Sequence, residues 1–155
     1  MNKTLLTVSL FALVAIGCTP RRIPGTDLED TEETRAILDV MEKYRAAVEA
    51  RDAPGVLALV SESFADNAGT PALDDDRDFK RLREELPQDL SRVNDVRLEI
   101  TVRKVEVSDT SARAIYTYSS SFRMPGLVSK PQNDSEIKEM TFLRVGDTWK
   151  ITSGI

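Results

Sequence analysis

Histidine is absent from all 155 residues. Its absence removes Ser-His-Asp and Cys-His catalysis, histidine-bound zinc and the usual general base poised near neutral pH. Any chemistry must therefore rest on carboxylates, tyrosines, lysines or arginines. Cysteine is almost as scarce: Cys18 is the single one, so the chain can form neither an internal disulfide nor a thiolate metal cluster. Positive charge is in deficit, with 21 basic against 26 acidic residues and a net charge of −5. That balance argues against nucleic acid, which needs a basic face to neutralise phosphates, and disfavours direct adhesion to anionic lipid. No apolar run approaches the roughly 20 residues that cross a bilayer.

The longest such run, Leu5 to Ile16, is broken only by Thr7 and Ser9 and is preceded by Lys3. A short positive region, a short apolar region and then Ala15-Ile16-Gly17-Cys18 have the layout of an export signal. These residues resemble a bacterial lipoprotein signal, with Gly17 as the small residue before the acceptor thiol and Ala15 where such signals usually carry leucine. The resemblance implies cleavage before Cys18, lipidation of Cys18 and attachment to a membrane. Thr19 stands where an aspartate would mark inner-membrane retention, which favours the outer membrane, facing the periplasm, in a Gram-negative source. An ordinary secretory signal with an incidental cysteine is the rival reading.

Three regions follow: a signal at 1–17, a lipidated tether at 18–30 and one domain at 31–155, the size of an ordinary single domain. Thr19 to Glu29 carries Pro20, Pro24 and Gly25 without apolar periodicity and reads as a tether, reaching roughly 37 Å if extended at about 3.4 Å per residue. Asp30 or Thr31 caps a long helix in which Ile37, Val40, Met41, Tyr44, Ala47 and Val48 recur at steps of three and four. Asp52 caps a second, shorter helix with Pro54 in its first turn. Phe64 to Ala68 reads as extended. Asp76 is the expected cap of a third helix, with Phe79, Leu82 and Leu86 on one stripe and Pro87 at its end.

From Val96 the period becomes two, and at Arg103-Lys104 its phase slips, as a bulge requires. Strands are expected over Ala112–Phe122, Ile137–Val145 and Trp149–Ser153, with Gly146-Asp147 as the turn between the last two. Helices followed by a bent antiparallel sheet make an α+β layer pair.

The helix carrying Met41 and Tyr44, the segment from Ala50 to Val60, the extended Phe64-Ala65-Asp66 and the terminal Leu143 to Ile151 together resemble the nuclear transport factor 2-like superfamily, which includes ketosteroid isomerase and scytalone dehydratase. The resemblance implies a cone-shaped α+β fold over almost all of 31–155. In ketosteroid isomerases a tyrosine placed as Tyr44 is would donate to a developing enolate oxygen. The base would fall near Ala68 and a protonated aspartic acid near Thr141, and both carboxylates are missing here. Asp66 shares strand parity with Ala68 and is the candidate for a displaced base, with Tyr44 as its acid partner. Scytalone dehydratase chemistry uses histidines, which this chain lacks.

Tyr44, Phe64, Asp66, Phe79, Tyr116, Tyr118 and Trp149 are the expected lining of a pocket, against the plainer reading that the aromatics fill a core. Asp74, Asp76, Asp78 and Glu85 have the spacing of a calcium loop. Phe79 occupies the position that needs glycine, so an acidic helix start accounts for them and no metal or other cofactor is expected. Met124-Pro125-Gly126-Leu127-Val128 either caps the mouth of the cone, meets a partner or folds back on the sheet. The leading expectation is a membrane-anchored lipoprotein that binds a small apolar molecule or a protein partner without catalysis. The alternatives are an acid/base isomerase or dehydratase using Asp66 and Tyr44, and a protein that forms a homodimer through its sheet.

Overall fold

The computed structural model describes residues 21–67, 76–125 and 131–155. The signal and Cys18 lie outside the described residues, as do Asp74, Ala68 and the Gly126-Leu127-Val128 end of the apolar loop segment.

Helix α1 spans Glu32–Glu49, capped by Thr31, whose hydroxyl accepts from the Thr34 N–H at 3.0 Å. Its buried stripe of Ile37, Val40 and Met41 faces the core, while Lys43 and Arg45 on the other side pair with Asp39, Glu42 and Glu49. Glu49 also accepts the Leu98 N–H at 2.9 Å, tying the end of this helix to the first long strand. Helix α2, Ala53–Leu59, is capped by Asp52 and follows Arg51, which turns the chain at φ 56°.

Short strands β1, Ala65–Asp66, and β2, Arg77–Asp78, pair antiparallel before helix α3, Phe79–Ser91. The helix cap is therefore Asp78 rather than Asp76, its carboxylate accepting from the Arg81 N–H at 2.7 Å. Pro87 does not end α3 either. Leu90 extends the Leu82–Leu86 stripe by one turn and is buried, which favours continuing the helix past the hydrogen bond that proline removes.

Four antiparallel strands follow in simple order: β3, Asn94–Val107; β4, Ser111–Arg123; β5, Gln132–Val145; and β6, Thr148–Ser153. The register shifts between Val102 and Lys104, where the alternation slips in sequence. Gly146 makes the β5–β6 turn at φ 59°. One sheet face carries Ala112, Ala114, Tyr116, Met140, Phe142, Trp149 and Ile151, all buried against Ile37, Met41 and Val56. On the outer edge of β6, Ile151 accepts the Ser61 N–H at 2.8 Å, so the end of α2 is stitched to the last strand. The result is three helices closing one face of a curled sheet, an α+β cone.

The segment before α1 is more ordered than a tether. Leu28 is buried, Ile23 donates to its carbonyl at 3.0 Å, and Arg22 and Glu29 form a bridge, so these residues turn back instead of extending. Arg21 and Arg22, the first two described residues, pair with Asp30 and Asp27.

Candidate functional site

The inner face of β5 changes character along its length. Phe142 and Met140 are buried, and the same parity then continues as Lys138, Glu136 and Asp134. At Lys138 the sheet emerges from under α1, and there the structure opens into a cavity of about 430 Å³. Helix α1 contributes Tyr44 and Val48, α2 contributes Val56, and α3 contributes Arg81, Leu82 and Leu86. Phe64, Asp66, Arg77, Lys138 and Ile155 complete the wall. Apolar side chains form the floor, and among the described residues one side-chain carboxylate and three cations stand around it. A wider basin of about 810 Å³ shares Asp66, Arg77 and Lys138 and adds Asp76, Asp78, Glu136 and Glu139.

Asp66 is spoken for by backbone. Its Oδ2 accepts the Gly154 N–H at 2.6 Å and the Ile155 N–H at 3.3 Å, so the carboxylate pins the chain after β6 against β1. Gly154 in turn accepts the Tyr116 hydroxyl at 2.7 Å. The Gly154 and Ile155 amides lie 88 and 89 residues away from Asp66 in sequence.

Tyr44 reaches the same cavity from α1. Burial, with a smaller contribution from the charge of Asp66, pushes its phenol up to about 12. Among the described residues its hydroxyl has no hydrogen-bond partner, whereas a buried core tyrosine usually has one. Burial also raises the Tyr116 and Tyr118 phenols, Tyr118 further because its hydroxyl donates to Asp134.

Two of the three cations have carboxylate partners. Arg81 holds Glu85 at 2.8 Å and donates to the Asp76 carbonyl at 2.7 Å; Arg77 lies 3.5 Å from Glu85 and 3.4 Å from Asp89. The Arg81 hydrogen bond holds the Glu85 carboxyl below its ordinary range. Asp78 and Glu85 thus serve as helix cap and ion-pair partner. Lys138 instead lies over the Tyr118 ring, 5.3 Å from its centroid.

Of the residues expected to line a pocket, Tyr44, Phe64 and Asp66 come together here. Phe79, Tyr116, Tyr118 and Trp149 do not join this lining. Tyr116 and Trp149 are core residues at 3% and 5% exposure, Trp149 beneath the Arg144 guanidinium at 4.6 Å. Phe79 starts α3 beside Arg83, and Tyr118 is the platform for Lys138. Sequence reasoning missed Arg77, Arg81 and Lys138. For Lys138 a signal existed, because strand parity puts it with Met140 and Phe142; for Arg77 none did, since β2 is only two residues long, and Arg81 stands on α3 beside the Leu82–Leu86 stripe and not on it.

No family model matches the chain, and no curated protein matches it in sequence. Its fold, however, is shared with solved structures. A conserved protein from Planctomyces limnophilus superposes with a TM-score of 0.69 at 13% identity, covering 79% of this chain and 92% of that one. A ketosteroid isomerase-like protein from Erwinia carotovora atroseptica gives 0.64 at 16%, covering 81% and 98%. A candidate dehydratase of the nuclear transport factor 2-like family from Streptomyces avermitilis gives 0.65 at 14%, covering 78% and 92%. At such identities the likeness establishes the fold, which is the nuclear transport factor 2-like cone.

Proposed function

We propose that this domain is a binding module that holds a small apolar molecule in the cavity between helices and sheet, without turnover, beside a membrane to which a lipidated Cys18 attaches it. One observation carries the reading: the cavity has an apolar floor in the size range of small-molecule sites, and Asp66, the only side-chain carboxylate among its described lining residues, is engaged by two backbone amides. The two amides fix this carboxylate against the chain after β6, so its position is set by the fold. Tyr44, with its phenol at about 12, is a reluctant acid.

Native mass spectrometry of the purified protein tests this. Wild type is expected to carry a small apolar mass that Leu86→Trp, which fills the cavity, does not. A wild type free of any adduct even after incubation with hydrophobic extracts would contradict the reading.

A second reading is an acid/base isomerase or dehydratase. It draws support from Tyr44 and Asp66 facing one cavity and from neighbours whose names carry those activities. Enolisable ketones and dehydratable alcohols, offered to wild type and Asp66→Asn, separate the two. The binding reading expects no turnover by either protein; turnover lost in a folded Asp66→Asn would establish the enzyme.

A further inference from the structure

Lys138 is a charged residue on the core face of a strand, directly opposite the buried Tyr116 in the register and two positions from the fully buried Met140. Lys138 is half-buried there, so its stem lies along the apolar wall while its ammonium stands at the edge of the cavity, where an anionic group can reach it. The other cavity cations have carboxylate partners in Glu85 and Asp89. Lys138 has no carboxylate within salt-bridge distance among the described residues, and the Tyr118 ring beneath it is only a partial substitute for an anion. Among the described residues, the side chains lining the inner cavity include three cations, Arg77, Arg81 and Lys138, and one carboxylate, Asp66. The acidic groups of the wider basin, among them Glu136 and Glu139, lie outside that inner wall.

We propose that Lys138 binds the anionic head group of the ligand, and that the molecule held here is a small anionic amphiphile: an apolar chain on the floor of the cavity with a carboxylate or similar group at Lys138. The inference rests on the binding reading above and adds the ligand's charge to it. Partial burial makes the charge worth reading, since an ion pair at a partly desolvated site is screened less than one in open water.

The probes are decanoate and decan-1-ol, which share a chain and differ in charge, titrated calorimetrically into the full protein at neutral pH. Wild type should bind decanoate about 10-fold or more tightly than the alcohol, a preference that shrinks as salt is raised. Lys138→Met should remove the preference for decanoate over decan-1-ol, and Lys138→Arg should restore it. Equal binding of the two probes by wild type, or a preference that survives in Lys138→Met, would overturn the assignment to Lys138 and leave the apolar site standing. Binding of neither probe would overturn both. If a Lys138 variant does not fold, a wild-type preference for decanoate that does not weaken with salt would still overturn the anionic head group.

Discussion

Gly154 joins three parts of the site through its own backbone. Its N–H serves Asp66 and its carbonyl serves Tyr116, and it does so at φ 87°, where a side chain is strained. A Cβ there would lie 1.9 Å from the Glu139 carbonyl oxygen, with backbone and not a flexible side chain in its way. Gly154→Ala should therefore cost more than about 2 kcal/mol in urea unfolding, an effect far larger than one methyl group elsewhere on the surface. A loss below half a kcal/mol would mean that the chain after β6 does not sit as described.

The tyrosines give a second residue-scale expectation. All three of the chain's tyrosines are raised, Tyr44 from 10.0 to about 12 and the others above their ordinary value. Between those two pH values the unfolded chain loses phenolic protons that the native protein keeps, so stability present below pH 10 declines as pH rises towards 12. Phenolate absorbance should stay low in native protein over this range and rise near pH 10 in urea. Asp66→Asn should bring the Tyr44 transition down, because the charge of Asp66 opposes the phenolate.

Among the elements, the sheet was the most legible in sequence. Alternation of apolar and polar residues identified β3, its bulge and the inward side chains of β4, because one buried face imposes period two. It failed at the start of β5. Gln132 to Glu136 has no apolar residue to mark a buried face, yet it pairs with β4 from Phe122 to Tyr118. A strand that runs beyond the helices needs no alternating pattern, and this extension is where the site begins. Helix α3 failed similarly at both ends: a two-residue strand displaced its cap, and Leu90 continued the helix past Pro87.

Trp149 on β6 belongs with the well-marked elements. At 5% exposure, Trp149→Ala should cost roughly 3 to 5 kcal/mol, and native fluorescence should be blue-shifted relative to unfolded protein. A solvent-like native spectrum would contradict its burial.

At the scale of the whole molecule, helices cover the sheet over its core and leave it open where β5 turns polar, which is why the fold contains a cavity at that end. Sequence resemblance gave this architecture and brought Tyr44, Phe64 and Asp66 into view. It could not give the cations, whose meeting depends on β2 pairing with β1 and on the β4–β5 register that sets Lys138 opposite Tyr116. The proposed attachment has its own test. No helix among the described residues is long and apolar enough to cross a membrane. Cys18→Ala should accordingly move the protein out of the membrane fraction, and retention there would contradict lipidation as the anchor.

The central claim is that the cavity is a site for a small apolar molecule. Calorimetric titration of decan-1-ol into wild type and into folded Leu86→Trp protein tests it most directly. The account predicts saturable one-site binding by wild type with a negative heat-capacity change, and its loss in Leu86→Trp. No saturable binding by wild type, or equal binding by both proteins, would contradict it.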